Sequence, residues 1–250
     1  MKIVVIIPAR YASTRFDGKA LVSIAGKSMI QRVYERSVKA QRVSKVVVAT
    51  DDLRIIEAVE KFGGKAIMTS DKNRTGTDRV AEAAEKLGLE LNDIVINVQG
   101  DQPLLDPRCL DQVVDPLLTE SNIDISTLAV KIFNEREKTD PKDIKVTFDN
   151  KGFALYFSRS TIPFGRDGSF KYDVFKHLGV YAYTRRFLEV FRHLPSGRLE
   201  EIEKLEQLRA LEHGYRIRVV QTPYDSPEVD LPIDIERIEK ILENMPDALK

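Results

Sequence analysis

Ile3-Val4-Val5-Ile6-Ile7-Pro8-Ala9-Arg10-Tyr11-Ala12-Ser13-Thr14-Arg15-Phe16-Asp17-Gly18-Lys19 opens the chain and decides how the rest is read. Residues 3–7 are wholly apolar and β-branched, the pattern of a strand buried on both faces of a parallel sheet. Pro8 ends the run. The loop after it carries three cations, Arg10, Arg15 and Lys19, with two hydroxyls and Gly18 between them. Open α/β sheets bind ligands in loops at the carboxyl ends of their strands. Guanidinium forks make planar bidentate contacts and a lysine supplies a mobile point charge, which is the set a polyphosphate requires. A solvated basic loop accounts for one or two cations. Three of them directly after a buried first strand point to a triphosphate site.

Outward from this strand, apolar runs alternate with amphipathic patterns. Strands are expected at residues 46–49, 65–68 and 94–98, and helices at 28–40, 52–62 and 77–87. Ser28 suits a helix N-cap, while Gly63-Gly64 and Gly88 suit C-terminal stops. Such alternation builds an α/β fold, a parallel sheet with helices on both faces. After about residue 123 the rhythm becomes strand-rich, with runs at 125–131, 145–148, 153–157 and 176–182. Asn150-Lys151-Gly152 reads as a hairpin turn. Helices at 184–193, 199–213 and 233–243 and a strand at 215–220 complete the chain. No repeat or linker divides it, so its 250 residues are expected to form one domain.

The net charge is zero, 39 cations against 39 anions, which gives no electrostatic footprint for nucleic acid or an anionic membrane. Cys109 is the single cysteine, so neither a disulfide framework nor a thiolate metal cluster can form; a buried structural thiol is expected. The chain has no signal-peptide layout at its start and no apolar run long enough to span a bilayer, and a cytoplasmic location is expected.

Gly26-Lys27-Ser28 imitates a phosphate loop, but Leu21 stands where that motif needs its first glycine. Asn97-Val98-Gln99-Gly100-Asp101 is more informative, because it follows the strand at 94–98 and puts Asp101 at the same sheet edge as the Arg10 loop. A carboxylate beside a triphosphate suits Mg²⁺, a hard cation that shares oxygen ligands with phosphates. Gln99 offers an amide donor and acceptor for a base edge. Asn73-Arg74-Thr75-Gly76-Thr77-Asp78-Arg79 enters a helix and reads equally as a capping sequence or as an anion contact. In Val229-Asp230-Leu231-Pro232-Ile233-Asp234, Asp230 is the candidate second metal ligand and Asp234 suits the start of the last helix, with Asp234 the alternative ligand.

The order of these blocks, with Ala49-Thr50-Asp51 between them, resembles the 3-deoxy-manno-octulosonate (Kdo) cytidylyltransferases over nearly the whole chain. The second half adds Phe157-Ser158-Arg159-Ser160-Thr161-Ile162-Pro163, His177-Leu178-Gly179-Val180-Tyr181-Ala182-Tyr183 and Leu205-Glu206-Gln207-Leu208-Arg209. The resemblance implies a Rossmann-like nucleotidyltransferase sheet with a strand-rich inserted second half. It implies transfer of CMP from CTP to Kdo with release of pyrophosphate, Mg²⁺ as cofactor, and a homodimer. Ala9, Arg10, Ser13, Arg15, Lys19, Thr75, Gln99 and Asp101 would hold CTP, with Arg10, Lys19 and Asp101 catalytic and Asp101 and Asp230 on the metal. Arg159, His177, Tyr181, Glu206 and Gln207 would line the sugar-acid pocket. Residues 1–122 and 214–250 would form the nucleotide side, and 123–213 the acceptor and dimerisation part. Two positions depart from the family pattern: Asp17-Gly18-Lys19-Ala20 replaces Pro-Gly-Lys-Pro, and Asn73 replaces a histidine. The rival readings are a sialic-acid cytidylyltransferase, which would share the Arg10 loop, and a non-catalytic nucleotide sensor, which would not need both Asp101 and Asp230. A dinucleotide redox enzyme is disfavoured by the missing glycine fingerprint.

Overall fold

A computed structural model describes residues 1–12, 16–168 and 171–245. The chain opens with β1 (Ile3–Ala9), a small hairpin of β2 (Ser23–Ile24) and β3 (Lys27–Ser28), and α1 (Met29–Val38). The alternation continues through β4 (Lys45–Thr50), α2 (Leu53–Lys61), β5 (Ala66–Met68), α3 (Gly76–Lys86), β6 (Ile94–Asn97) and α4 (Pro107–Thr119). The strand-rich part holds β7 (Ile125–Lys131), α5 (Glu135–Thr139), β8 (Lys145–Phe148), β9 (Ala154–Ser158) and β10 (Phe175–Thr184). Then follow α6 (Arg185–His193), α7 (Arg198–Glu203), α8 (Leu208–Glu212), β11 (Arg218–Thr222) and α9 (Pro232–Asn244).

Nine of the described strands form one sheet in the order β11-β7-β10-β6-β1-β4-β5, with β8 pairing β10 and carrying β9. β1 is parallel to both β4 and β6, and β11 is parallel to β7, while β10 runs antiparallel to both of its long neighbours. The mostly parallel α/β sheet expected from the alternation is therefore present. β1 explains its own composition: Val5 and Ile7 enter the core on one face, Val4 and Ile6 the core on the other. A strand covered on both sides has no polar face to show. From β1 the chain leaves toward β4, while β6 adds on the opposite side, so the β1–β6 boundary is where the winding reverses. Ligand crevices open at such a switch point.

Local signals behave as their chemistry requires. Ser28 caps α1 by accepting from the Gln31 amide at 3.3 Å, which disposes of the phosphate-loop reading. Asp149 Oδ1 accepts from the Lys151 and Phe153 amides and Gly152 adopts φ 78°, closing the β8–β9 hairpin. Cys109 is buried and free, 3.8 Å from Thr222 Oγ1, and burial pushes its thiol up to about 12.

Two expectations need correction. The single helix at 199–213 is two, α7 and α8, because Lys204 turns the chain in a left-handed conformation at φ 53°. Leu199, Ile202, Leu205 and Leu208, whose spacing of three would make one buried stripe on a single helix, divide with it: Leu205 and Leu208 are buried, but Leu199 and Ile202 are exposed. The strand expected at 215–220 is shifted to Arg218–Thr222 by its parallel pairing with β7, and Tyr215 instead packs its ring on Phe187 with centroids 4.9 Å apart.

Candidate active site

At the β1–β6 switch point two loops meet. Gly100 follows β6 so closely against β1 that a Cβ there would lie 3.2 Å from the Pro8 carbonyl oxygen. Only glycine lets Asp101 turn over this edge without pushing β1 aside. Gly18, at φ 69°, delivers Lys19 from the other loop. The Lys19 ammonium then lies 2.8 Å from Asp101 Oδ2 and 3.2 Å from Asp230 Oδ1. Burial works against that charge, but Asp101 and then Asp230 outweigh it and raise the lysine pKa. Asp17 and Ala20, in place of the family prolines, leave this placement intact.

Asp230 and Asp234 have different partners. Asp234 accepts from the Asp230 and Leu231 amides, both at 2.9 Å, and so serves the start of α9. Asp230 is the carboxylate that reaches Lys19 beside Asp101.

Arg10, Ala9, Lys19, Gln99 and Asp101 surround a recess of ≈ 350 Å³. Arg10 donates through Nη2 to the Asn73 carbonyl. The Asn73 side chain turns the other way, donating to Ser70 O and to Glu82, so the position that departs from the family contributes its backbone. Thr75 caps α3, accepting from the Asp78 amide at 3.1 Å. Ser13 and Arg15 lie outside the described residues.

Gln99 also borders a second, larger cleft of ≈ 420 Å³, whose walls include His177, Tyr181, Glu206 and Gln207. His177 and Tyr181 share one side of β10, their rings 5.3 Å apart, although the pairing with β7 is irregular between Leu178 and Tyr181. Thr127 Oγ1 donates to the Val180 carbonyl at 2.8 Å and lies 2.9 Å from His177 Nε2. A hydroxyl has one proton; with that proton on the Val180 carbonyl, Nε2–H is the donor in the second contact and Nδ1 keeps its lone pair. Burial pushes the imidazole down to about 3, so the ring is neutral. Glu206 accepts from Thr77 Oγ1 at 2.8 Å, and burial raises its pKa. Asn97 Oδ1, the Tyr181 hydroxyl and Glu206 Oε1 are buried without a hydrogen-bond partner, and all three residues line the cleft. Arg159 is not part of this wall: it donates to the Glu203 and Pro141 carbonyls at 2.7 and 3.0 Å and ties two loops together.

Sequence reasoning passed over Glu228, two residues before Asp230. It lines the cleft, accepts from Gln102 Nε2 at 3.2 Å, and is pushed up to about 7 by burial and then by Asp101 and Asp230. Its only signal in the sequence was its place beside Val229-Asp230.

Comparison with known proteins places this arrangement. Residues 4–217 match the family model described as cytidylyltransferase. The 3-deoxy-manno-octulosonate cytidylyltransferase of Desulfatibacillum aliphaticivorans is 64% identical, covering 98% of this chain and 100% of its own. The 8-amino-3,8-dideoxy-manno-octulosonate cytidylyltransferase of Shewanella amazonensis is 54% identical over 97% of this chain and 99% of its own. A solved CMP:2-keto-3-deoxy-manno-octonic acid synthetase, complexed with CTP, superposes with a TM-score of 0.91 at 40% identity, covering 97% of this chain and 99% of that one. With matches of this extent, the chain belongs to the cytidylyltransferases and, among them, to the 3-deoxy-manno-octulosonate cytidylyltransferase family.

Proposed function

We propose that this chain transfers the cytidylyl group of CTP to the anomeric hydroxyl of Kdo, forming CMP-Kdo and pyrophosphate and activating Kdo for lipopolysaccharide biosynthesis. One observation carries the reading. Asp101 and Asp230, far apart in sequence, converge on a single cation at the switch point, between a cationic recess and a polar cleft.

The residues fit Mg²⁺. Both carboxylates already share a positive charge, and Asp101 Oδ1 is buried without a hydrogen-bond partner. Among the described residues no group of three or more metal-ligating side chains gathers, so phosphate oxygens and water would complete an octahedral shell, as Mg²⁺ favours. Mg²⁺ held by Asp101 and Asp230 would offset the α-phosphate charge and lower the pKa of the attacking hydroxyl. Arg10 and Lys19 neutralise the pyrophosphate as its charge grows. Gln99, on the wall shared by recess and cleft, reads the cytosine edge, with Ala9 beside the nucleotide and Thr75 at the helix start. Tyr181, Glu206, Gln207 and the free Nδ1 of His177 bind the hydroxyls of the sugar acid. Arg159 holds the loops around them.

Pyrophosphate release, measured with Mg²⁺, each nucleoside triphosphate and a panel of sugar acids, tests this directly. CTP with Kdo is the expected pair. Equal use of GTP, or release with a sialic acid in place of Kdo, would contradict it.

The same reading makes the enzyme cytoplasmic, where CTP is made, with no helix among the described residues long and apolar enough to cross a membrane. A homodimer built through residues 123–213 is supported by Phe133, Leu155 and Phe164, exposed at 82, 60 and 84%. A monomer mass in light scattering would end that part of the reading.

A further inference from the structure

Asp101 and Asp230 come from loops far apart in the chain, and Lys19 bridges their side chains. That bridge goes when the lysine turns to a phosphate and a metal takes its place. Like charges side by side repel, so another device must hold the two loops together during the exchange.

Two further contacts join the same loops. The Val229 amide donates to the Asp101 carbonyl at 3.0 Å, and Gln102 Nε2 donates to Glu228 Oε1 at 3.2 Å. One contact runs from 229 to 101 and the other from 102 to 228, so together they fix both the separation and the rotation of the loops. Gln102 is fully buried, and its Oε1 has no hydrogen-bond partner. Leaving that oxygen unpaired costs the fold stability, and what the buried amide delivers in return is its Nε2 contact with Glu228.

The rest of the segment is anchored from outside. Lys176, buried on β10, lies 2.8 Å from Asp225 Oδ2, and the Ser226 amide donates to Asp225 Oδ1 at 2.8 Å. Arg237 on α9 donates to the Glu228 carbonyl at 3.0 Å, and Asp234 takes the Asp230 and Leu231 amides. The backbone is thus held on both sides of Glu228, whose side chain reaches across to residue 102.

We infer that Glu228 is a positioning residue: through Gln102 it keeps Asp230 opposite Asp101 while Lys19 gives way to the metal. It thereby sets how strongly metal and nucleotide binding are coupled. The inference rests on the reading of Asp101 and Asp230 as the Mg²⁺ ligands. Glu228 acts by its hydrogen bond and not as a third ligand, since no group of three metal-ligating side chains gathers among the described residues. Removing a group that orients metal ligands typically costs ~10–100-fold in metal affinity.

Calorimetric titration with CTP, without metal and with Mn²⁺, and with no acceptor present, gives two dissociation constants. Their ratio is the metal's share of nucleotide binding, and the unmodified chain should bind CTP more tightly with Mn²⁺. Glu228→Ala and Glu228→Gln both lose the charge, but the glutamine oxygen can still accept from Gln102 Nε2. The ratio should therefore be about tenfold lower in the alanine variant than in the glutamine variant. Should Glu228→Ala fail to fold, Gln102→Leu removes the same bond from the other side, and its ratio should fall about as far below that of the unmodified chain. Equal ratios in the compared pair would overturn the inference. Both constants rising together, with a lowered melting temperature, would make Glu228 structural and overturn it too. A ratio of one in the unmodified chain would defeat the Mg²⁺ reading of Asp101 and Asp230 along with it.

Discussion

Lys19 sits between two carboxylates at 2.8 and 3.2 Å, while in the neighbouring cleft Tyr181, Asn97 and Glu206 each keep a buried polar atom with no hydrogen-bond partner. The two regions border the same Gln99, yet they meet their electrostatic needs in opposite ways. At the switch point two carboxylates are held on one ammonium within the protein before any ligand arrives. The cleft is left incomplete, and each unpartnered group there costs the fold a desolvation penalty of about 1–3 kcal/mol. A site that must hold several hydroxyls in fixed places carries that cost in advance, whereas a site that exchanges ions does not.

The largest effect should come from the switch point. Asp101→Asn and Asp230→Asn are each expected to lower turnover on the order of 10³-fold, with the double variant little worse, because the two act as one unit. Turnover and melting temperature measured on the same proteins decide the point. A lowered melting temperature with unchanged turnover per folded molecule would make this region structural and erase the contrast.

Arg10→Ala and Lys19→Ala come next, at ~10²-fold, or about 3 kcal/mol of transition-state stabilisation. Arg10 is exposed, so its loss should leave the fold intact. Wild-type turnover in soluble Arg10→Ala would remove the recess from the reaction.

The cleft should show itself in stability. His177 is held at about 3, against 6.5 for a free imidazole. Between those values the unfolded chain binds more protons than the folded one, so the neutral ring contributes stability that is full above pH 6.5 and lost on acidification toward 3. At about pH 5 the loss is at most about 2 kcal/mol. Thermal melts of wild type and His177→Gln at about pH 7.5 and 5 measure it, and the variant should lose less on acidification. Identical slopes would mean that the folded ring takes up a proton freely.

The smallest effect sharpens the comparison most. Tyr181→Phe removes a buried hydroxyl that has no partner, so the melting temperature should hold or rise. The kcat/KM for the acceptor should fall ~3–10-fold, the net worth of one hydrogen bond. A destabilised variant with unaltered acceptor use would show that the hydroxyl serves the core.

Most of the architecture was legible because it rests on short-range rules. The β-branched run at 3–7, the Ser28 cap and the turn at 150–152 each follow from local sterics and hydrogen bonding. Asp101 was legible for the same reason, lying directly beyond a strand. What failed depended on distant partners. Nothing local marks Lys204 for a left-handed turn, and Glu203 beside it is committed to Ser158 and the Arg159 amide, 45 and 44 residues away. Which of Asp230 and Asp234 serves the start of α9 was likewise not legible, since it depends on how the chain enters that helix. Arg159 carries the same lesson: its guanidinium goes to two backbone carbonyls, which no motif announces. Glu228, Lys176 and Ser226 gain meaning only when the 223–231 loop is laid along β10.

Lys19 has one more consequence. Because an ammonium already stands between Asp101 and Asp230, a divalent cation taken there displaces a resident rather than filling a void. Its apparent affinity is then a difference between two occupancies, and it depends on where the lysine can go. Triphosphate offers the lysine that alternative, so nucleotide and metal should load cooperatively, each tightening the other. The protein alone should hold the metal weakly.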